Sequence, residues 1–186
     1  MKIRREWAMP NKNTFRCPPI WAFVDYYLQQ SKVSVDPFAR NFQGCTHTND
    51  LNPNTSAQYH MDSLEFLKMI RNKGIRPDLV VFDPPYSPER LKKSYNNIGK
   101  KMTGTCALRC ANWVQEKNIL AEICSKNATA LSFGWSSTGM GAKRGFSIEE
   151  ILLVCHGGGH PDTICVAERK AAEQLAFELP EKQDPA

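Results

Sequence analysis

The chain has 186 residues, 41% of them hydrophobic and 23% charged, which predicts one compact soluble domain and excludes a disordered chain or a multidomain assembly. Its longest apolar runs, 79–82 and 151–155, fall far short of the roughly 20 residues that cross a bilayer, so no membrane partner is expected. The net charge of +5 is local: residues 87–112 hold six cations (Arg90, Lys92, Lys93, Lys100, Lys101 and Arg109) against Glu89, while the rest balances at 18 cations to 18 carboxylates.

Residues 1–16 are polar and interrupted by Pro10, and they predict an irregular segment. They contain no apolar stretch or small-residue cleavage site, so a cytoplasmic protein is expected. Pro18-Pro19 opens a helix whose apolar positions Ile20, Phe23, Val24, Tyr27 and Leu28 recur at helical spacing. Val33-Ser34-Val35 predicts a short strand ending at Asp36-Pro37-Phe38, and Thr46-His47-Thr48 a second one ending at Asn49-Asp50. Asp62-Ser63-Leu64 starts a helix that Gly74 and Pro77 stop. Leu79-Val80-Val81-Phe82 is the clearest buried strand, ending abruptly at Asp83-Pro84-Pro85. A helix follows over 113–124, then a buried strand from Ala128 to Trp135. The strands 146–155 and 163–168 form a hairpin across a glycine-rich loop, and the tail from Lys170 begins helix-like and then frays.

Strands alternating with helices and closed by a hairpin predict an α/β fold: an open, mostly parallel sheet with one antiparallel strand. Ligands in such sheets bind beyond the carboxyl ends of the strands. Asp36, Asp50 and Asp83 are therefore expected to face one crevice.

Asp83-Pro84-Pro85-Tyr86 carries the chemistry. Two successive prolines fix φ and remove two backbone donors, leaving a rigid turn that offers the Asp83 carboxylate and the Pro84 carbonyl as acceptors. A planar exocyclic amine has two donor hydrogens and a lone pair delocalised into its ring. Two acceptors that hold both hydrogens favour a more pyramidal nitrogen, free the lone pair for attack and stabilise the positive charge that develops. Tyr86 adds a π-face on which a base can stack.

This turn after a buried strand resembles the signature of the DNA amino-methyltransferases, and most closely that of small phage or prophage adenine-specific DNA methyltransferases. The likeness runs in order from about residue 7 to residue 170. It implies a Rossmann-like methyltransferase fold, S-adenosylmethionine as cofactor and DNA as partner, with Asp83, Pro84, Pro85 and Tyr86 at the catalytic turn. Residues 7–15, ending in Asn13, Thr14 and Phe15, resemble the family's segment around the methionine end of the cofactor. Asp36, Pro37 and Phe38 resemble its first-strand motif, Asp50 its acidic second-strand end, and Asp62 and Ser63 the segment at the cofactor adenine. Ser132-Phe133-Gly134-Trp135 is similar to the family's fifth strand.

Two departures stand out. The family's cofactor loop ends in glycine where this chain has Arg40, and many members carry a target-recognition domain that this chain has no room for. Arg90, Lys92, Lys93, Lys100, Lys101 and Arg109 are then the expected nucleic-acid contacts, and sequence specificity is expected from this segment, from another subunit or a copy of the same chain, or hardly at all. Clustered cations displace the counterions condensed on nucleic acid, although the same segment also reads as a solvated loop. Two alternatives keep the fold: an amino-methyltransferase acting on RNA bases, and a nucleic-acid-binding subunit that has lost catalysis.

The remaining motifs are weaker. Seven cysteines, at 17, 45, 106, 110, 124, 155 and 165, include no Cys-x-x-Cys pair, so reduced thiols and no metal are expected. Ser136–Gly145 lacks the ending of a phosphate loop and reads as a rim loop. His156 and His160 fall at the hairpin turn.

Overall fold

The computed structural model describes residues 1–85, 87–96, 98–99 and 113–171. Seven strands form one sheet in the order β1-β6-β7-β5-β4-β2-β3: β1 (Lys2–Trp7), β2 (Ser34–Asp36), β3 (His47–Thr48), β4 (Leu79–Phe82), β5 (Thr129–Gly134), β6 (Phe146–Cys155) and β7 (Thr163–Lys170). The helices are α1 (Pro18–Leu28), α2 (Ser63–Asn72), α3 (Pro88–Asn96) and α4 (Val114–Ile123). Strand β7 runs antiparallel to β5 and β6, and every other pairing is parallel.

The centre of the sheet follows from hydrophobic runs. All four residues of β4 and all six of β5 are buried, as befits strands covered on both faces. On one face Leu79, Val81, Leu131 and Phe133 pack against Ile20, Phe23, Val24 and Tyr27 of α1. On the other, Val80, Phe82 and Ala130 pack against Phe66, Leu67 and Ile70 of α2 and Leu120 and Ile123 of α4. Helix α2 begins where the Asp62 carboxylate accepts the Leu64 N–H at 2.9 Å, and the chain leaves it through Gly74 at φ 67°. None of the helices described is long and apolar enough to cross a membrane.

The expected irregular N-terminus is instead a strand. Residues Lys2–Trp7 pair in parallel with Glu150–Cys155 at the edge of the sheet. Nearly all of β1 is exposed, so no apolar alternation marked it. Backbone pairing and a 2.6 Å ion pair between Arg4 and Glu150 hold it instead. A second correction concerns 87–112, which begins as helix α3 rather than as loop. The expected helical start at Lys170 is the end of β7, and the tail beyond residue 171 lies outside the described residues.

The parallel strands all point their carboxyl ends to one edge. Asp36 ends β2 there, and Asn49, Asp83 and Trp135 follow the ends of β3, β4 and β5.

Candidate active site

A cavity of about 730 Å³ opens at this edge, a size that suits a nucleoside-bearing ligand. Its walls come from separate stretches of chain: Thr14 from the N-terminal segment, Pro37, Phe38 and Arg40 after β2, Asp50 after β3, Asp62 and Ser63 at the start of α2, Asp83-Pro84-Pro85 after β4, and Arg90 on α3. Sequence reasoning named these residues, Arg40 excepted, as site residues; it did not name Arg40 or other lining residues such as Asn11, Lys12, Asn52, Tyr95 and Trp113.

Asp83 sits where β4 ends. Burial pushes its carboxyl up to about 6, against the pull of a hydrogen bond from Thr14 and the positive charges of Arg40 and Arg90. Its Oδ1 is buried and has no hydrogen-bond partner among the described residues. A buried, under-satisfied acceptor on a rigid proline turn is suited to receive a donor from a ligand.

The loop after β2 builds the facing wall. Phe38 stacks edge-on against Phe82 and Trp113, with ring centroids 5.4 and 4.9 Å away, so an aromatic surface underlies the cavity. Arg40 has φ 53°, the left-handed conformation that glycine adopts freely. The position therefore adopts a conformation that suits glycine while carrying a side chain. That side chain donates from Nη1 to the Lys12 carbonyl at 2.9 Å, bridging two walls of the cavity.

Asp50 is fixed by the backbone: one carboxylate oxygen accepts the Arg40 N–H at 3.1 Å and the other the Asn52 N–H at 2.8 Å. Burial raises its carboxyl, while these two bonds and the Arg40 charge oppose the rise. Ser63 donates to Glu116 at 3.0 Å, tying the start of α2 to α4.

Three of the expected cofactor residues do not line the cavity. Asp36 is fully buried at the end of β2, where one oxygen accepts the Phe38 N–H at 2.8 Å. Burial holds its carboxyl well above the usual carboxylate range. Phe15 packs against Phe42 and Phe133 in the core, and Asn13 precedes the short 3₁₀ turn Thr14–Arg16, whose Arg16 N–H its carbonyl accepts. Of the expected nucleic-acid residues, Arg90 borders the cavity and Lys92 is exposed on α3. Tyr86, Lys100, Lys101, Arg109 and the side chain of Lys93 lie outside the described residues.

Sequence reasoning missed Asn49. It is fully buried, and its side chain donates to the Pro37 and Met61 carbonyls at 3.2 and 3.0 Å and accepts the Met61 N–H at 3.1 Å. One amide thus pins the loop after β2 to the approach to α2. The only signal was an asparagine at a strand end, where it reads as turn chemistry. His156 is buried as well, held between the Ala8 carbonyl and the Thr163 hydroxyl, so it fastens β1 to the hairpin. Cys17, Cys45, Cys124, Cys155 and Cys165 are free thiols, and no cluster of metal-ligating side chains occurs among the described residues.

No protein-family model and no curated protein matches the sequence. Among solved structures, the chain is similar to yhhF of Escherichia coli, a candidate methyltransferase, with a TM-score of 0.51 at 12% identity over 83% of this chain and 85% of that one. A SAM-dependent methyltransferase from Agrobacterium tumefaciens gives 0.49 at 11% identity over 82% of this chain and 61% of its own. SMU.776, a candidate methyltransferase crystallised with SAH, gives 0.47 at 10% over 75% and 45%. The chain spans less than two thirds of the length of these last two. The fold that the chain shares with yhhF is a mostly parallel, Rossmann-like α/β sheet, in which β7 runs antiparallel and β1 lies at one edge.

Proposed function

We propose that this protein transfers a methyl group from S-adenosylmethionine to the exocyclic N6 amine of adenine in DNA. The observation that carries the reading is the Asp83 turn: a buried carboxylate oxygen without a partner among the described residues, followed by two prolines, in the wall of a cavity large enough for a nucleoside. The donor set fits the cofactor. Asp50 presents a carboxylate held by two backbone N–H groups, Phe38 an aromatic surface, and Arg40 a backbone conformation that suits glycine.

The protein's part is to prepare the amine. The Asp83 carboxylate and the Pro84 carbonyl each accept one N–H hydrogen of the base, which turns the nitrogen lone pair out of the ring and towards the methyl carbon. Bound S-adenosylmethionine would supply the methyl carbon, its sulfur leaving with the electrons of the broken C–S bond as the amine's lone pair forms the C–N bond, and the nitrogen's extra proton would pass to solvent. Asp83 stabilises the positive charge on nitrogen while it exists. The target base must leave the duplex to reach this turn, at a cost of a few kcal/mol.

DNA as the substrate rests on the motif order and on the basic segment 87–112. The test is transfer of labelled methyl from S-adenosylmethionine to adenine-containing duplex DNA and to structured RNA, with Asp83→Ala as control. Label in DNA adenine from the wild type, reduced at least about a hundredfold in the variant, is expected from the loss of a transition-state acceptor. Label in RNA alone moves the substrate, and equal rates in both proteins refute the turn's role.

A further inference from the structure

Strand β1 is the last of the sheet on its side, and its outer backbone is unpaired. The Ala8 N–H donates to the Cys155 carbonyl at 3.1 Å, so the backbone groups of Lys2, Arg4 and Glu6 also turn towards β6 and those of Ile3, Arg5 and Trp7 turn away from it. Outward N–H and C=O groups of this kind are a template for one more strand. The side chains alternate as well. Arg4 reaches Glu150 on one face. On the other, Ile3 and Trp7 are 66% and 67% exposed, beside the half-buried Ile151, Leu153 and Ile164.

This edge is complementary to itself. In an antiparallel pairing about a two-fold axis at Arg5, Arg4 lies opposite the second copy's Glu6, and Ile3 opposite its Trp7, each contact occurring twice. Glu6 is exposed and has no ion-pair partner among the described residues. Arg4 engages Glu150 through Nε, at 2.6 Å, which leaves its Nη groups to meet a second carboxylate. In this register Arg4 and Glu6 fall at the pairs where opposite side chains come closest, and the outward backbone groups of Ile3, Arg5 and Trp7 all find partners. An axis at Arg4 or at Glu6 would set like charges at that closest approach instead. The one cost of the Arg5 axis is Arg5 facing its own copy. That pair is of the wider-spaced kind, and the Arg5 Nε donates to Cys155 Sγ at 3.2 Å, which draws the guanidinium back over its own chain.

We infer that β1 is the contact surface for a second copy of this chain, joined by an antiparallel, two-fold pairing centred on Arg5 into one continuous sheet with seven strands from each copy. The parallel strands of the two copies then point their carboxyl ends in opposite directions, so the two cavities open at opposite edges of that sheet. A contact of this symmetry uses up the edge on both copies and closes at two. It does not depend on which substrate the Asp83 turn takes.

The test is sedimentation equilibrium of the full chain over concentrations from about 1 to 100 μM, with thermal melts by circular dichroism to show that each variant folds. The wild type should approach twice the chain mass. Glu6→Arg sets two arginines against Arg4 of the opposite copy and should weaken the dimer roughly tenfold or more. Arg5→Thr removes the like-charge contact at the axis and should tighten it about twofold to fivefold. Arg5→Pro removes that contact too, but also an N–H that faces away from β6, so β1 keeps its own pairing while the dimer is lost to the missing backbone bonds. A wild type that stays monomeric at the highest concentration, or that grows beyond two copies, overturns the inference. So does a dimer that Glu6→Arg leaves intact or that Arg5→Thr fails to tighten. The readout needs neither cofactor nor turnover, so a failure of the proposed reaction and a failure of this contact are told apart.

Discussion

The Asp83 carboxyl titrates at about 6 in the fold, against an ordinary value near 4. The folded state therefore holds this proton more tightly than the unfolded chain does. The stability that results is complete below about pH 4 and is lost as pH rises through 6, so the ionised group destabilises the fold at neutral pH by at most about 3 kcal/mol. Asp83→Asn should accordingly raise the thermal midpoint at pH 7.5 and leave it nearly unchanged at pH 4. The proposed reaction has the opposite requirement, because in it the Asp83 acceptor is ionised. Methyl transfer should fall about tenfold per pH unit below 6. Arg40 sharpens this expectation, since its charge pulls the Asp83 carboxyl down. Arg40→Gly relieves a left-handed residue and removes that charge, so the acid limb of the pH–rate profile should move to higher pH. An unmoved limb would mean that Arg40 does not act on Asp83. That position 40 departs from the glycine of the pattern the sequence resembles was legible; that its backbone is left-handed was not, because φ is not written in the residue type.

At the scale of elements, what was legible is what burial enforces. β4 and β5 stood out because a strand covered on both faces must be continuously apolar, and α2 because an acidic cap precedes a 3.6-residue period. β1 was illegible for the converse reason: as an exposed edge strand it needs only backbone pairing, and its charges read as coil. Helix α3 was hidden inside a segment read for its charge. The Asp62 cap shows the link between element and site, since the residue that starts α2 also borders the cavity. Asp62→Ala should cost about 1 kcal/mol of stability, measurable by urea unfolding, and should also weaken cofactor binding. A stability loss with undiminished cofactor affinity would leave Asp62 as a cap alone.

For the whole molecule, parallel strands deliver their carboxyl ends to one edge, so residues from Thr14 to Arg90 meet although they are scattered in sequence. Strand order made that edge predictable, and with it Asp50 and Asp83. It did not reveal which acidic ends turn outward: Asp36 ends a strand as Asp83 does, yet it is sealed beneath the loop whose Phe38 N–H it accepts. Nor did it reveal Asn49, whose three hydrogen bonds exist only once two distant loops have met. The fold is one that candidate methyltransferases share, and in the proposed reading the Asp83 turn would present a base amine to it. The most direct measurement is nucleoside mass spectrometry on DNA and RNA from methylation-deficient cells expressing the wild-type chain or Asp83→Ala. N6-methyladenine in DNA with the wild type alone is the predicted result. Equal N6-methyladenine from the two proteins, or no new methylated base in either nucleic acid, would contradict the account.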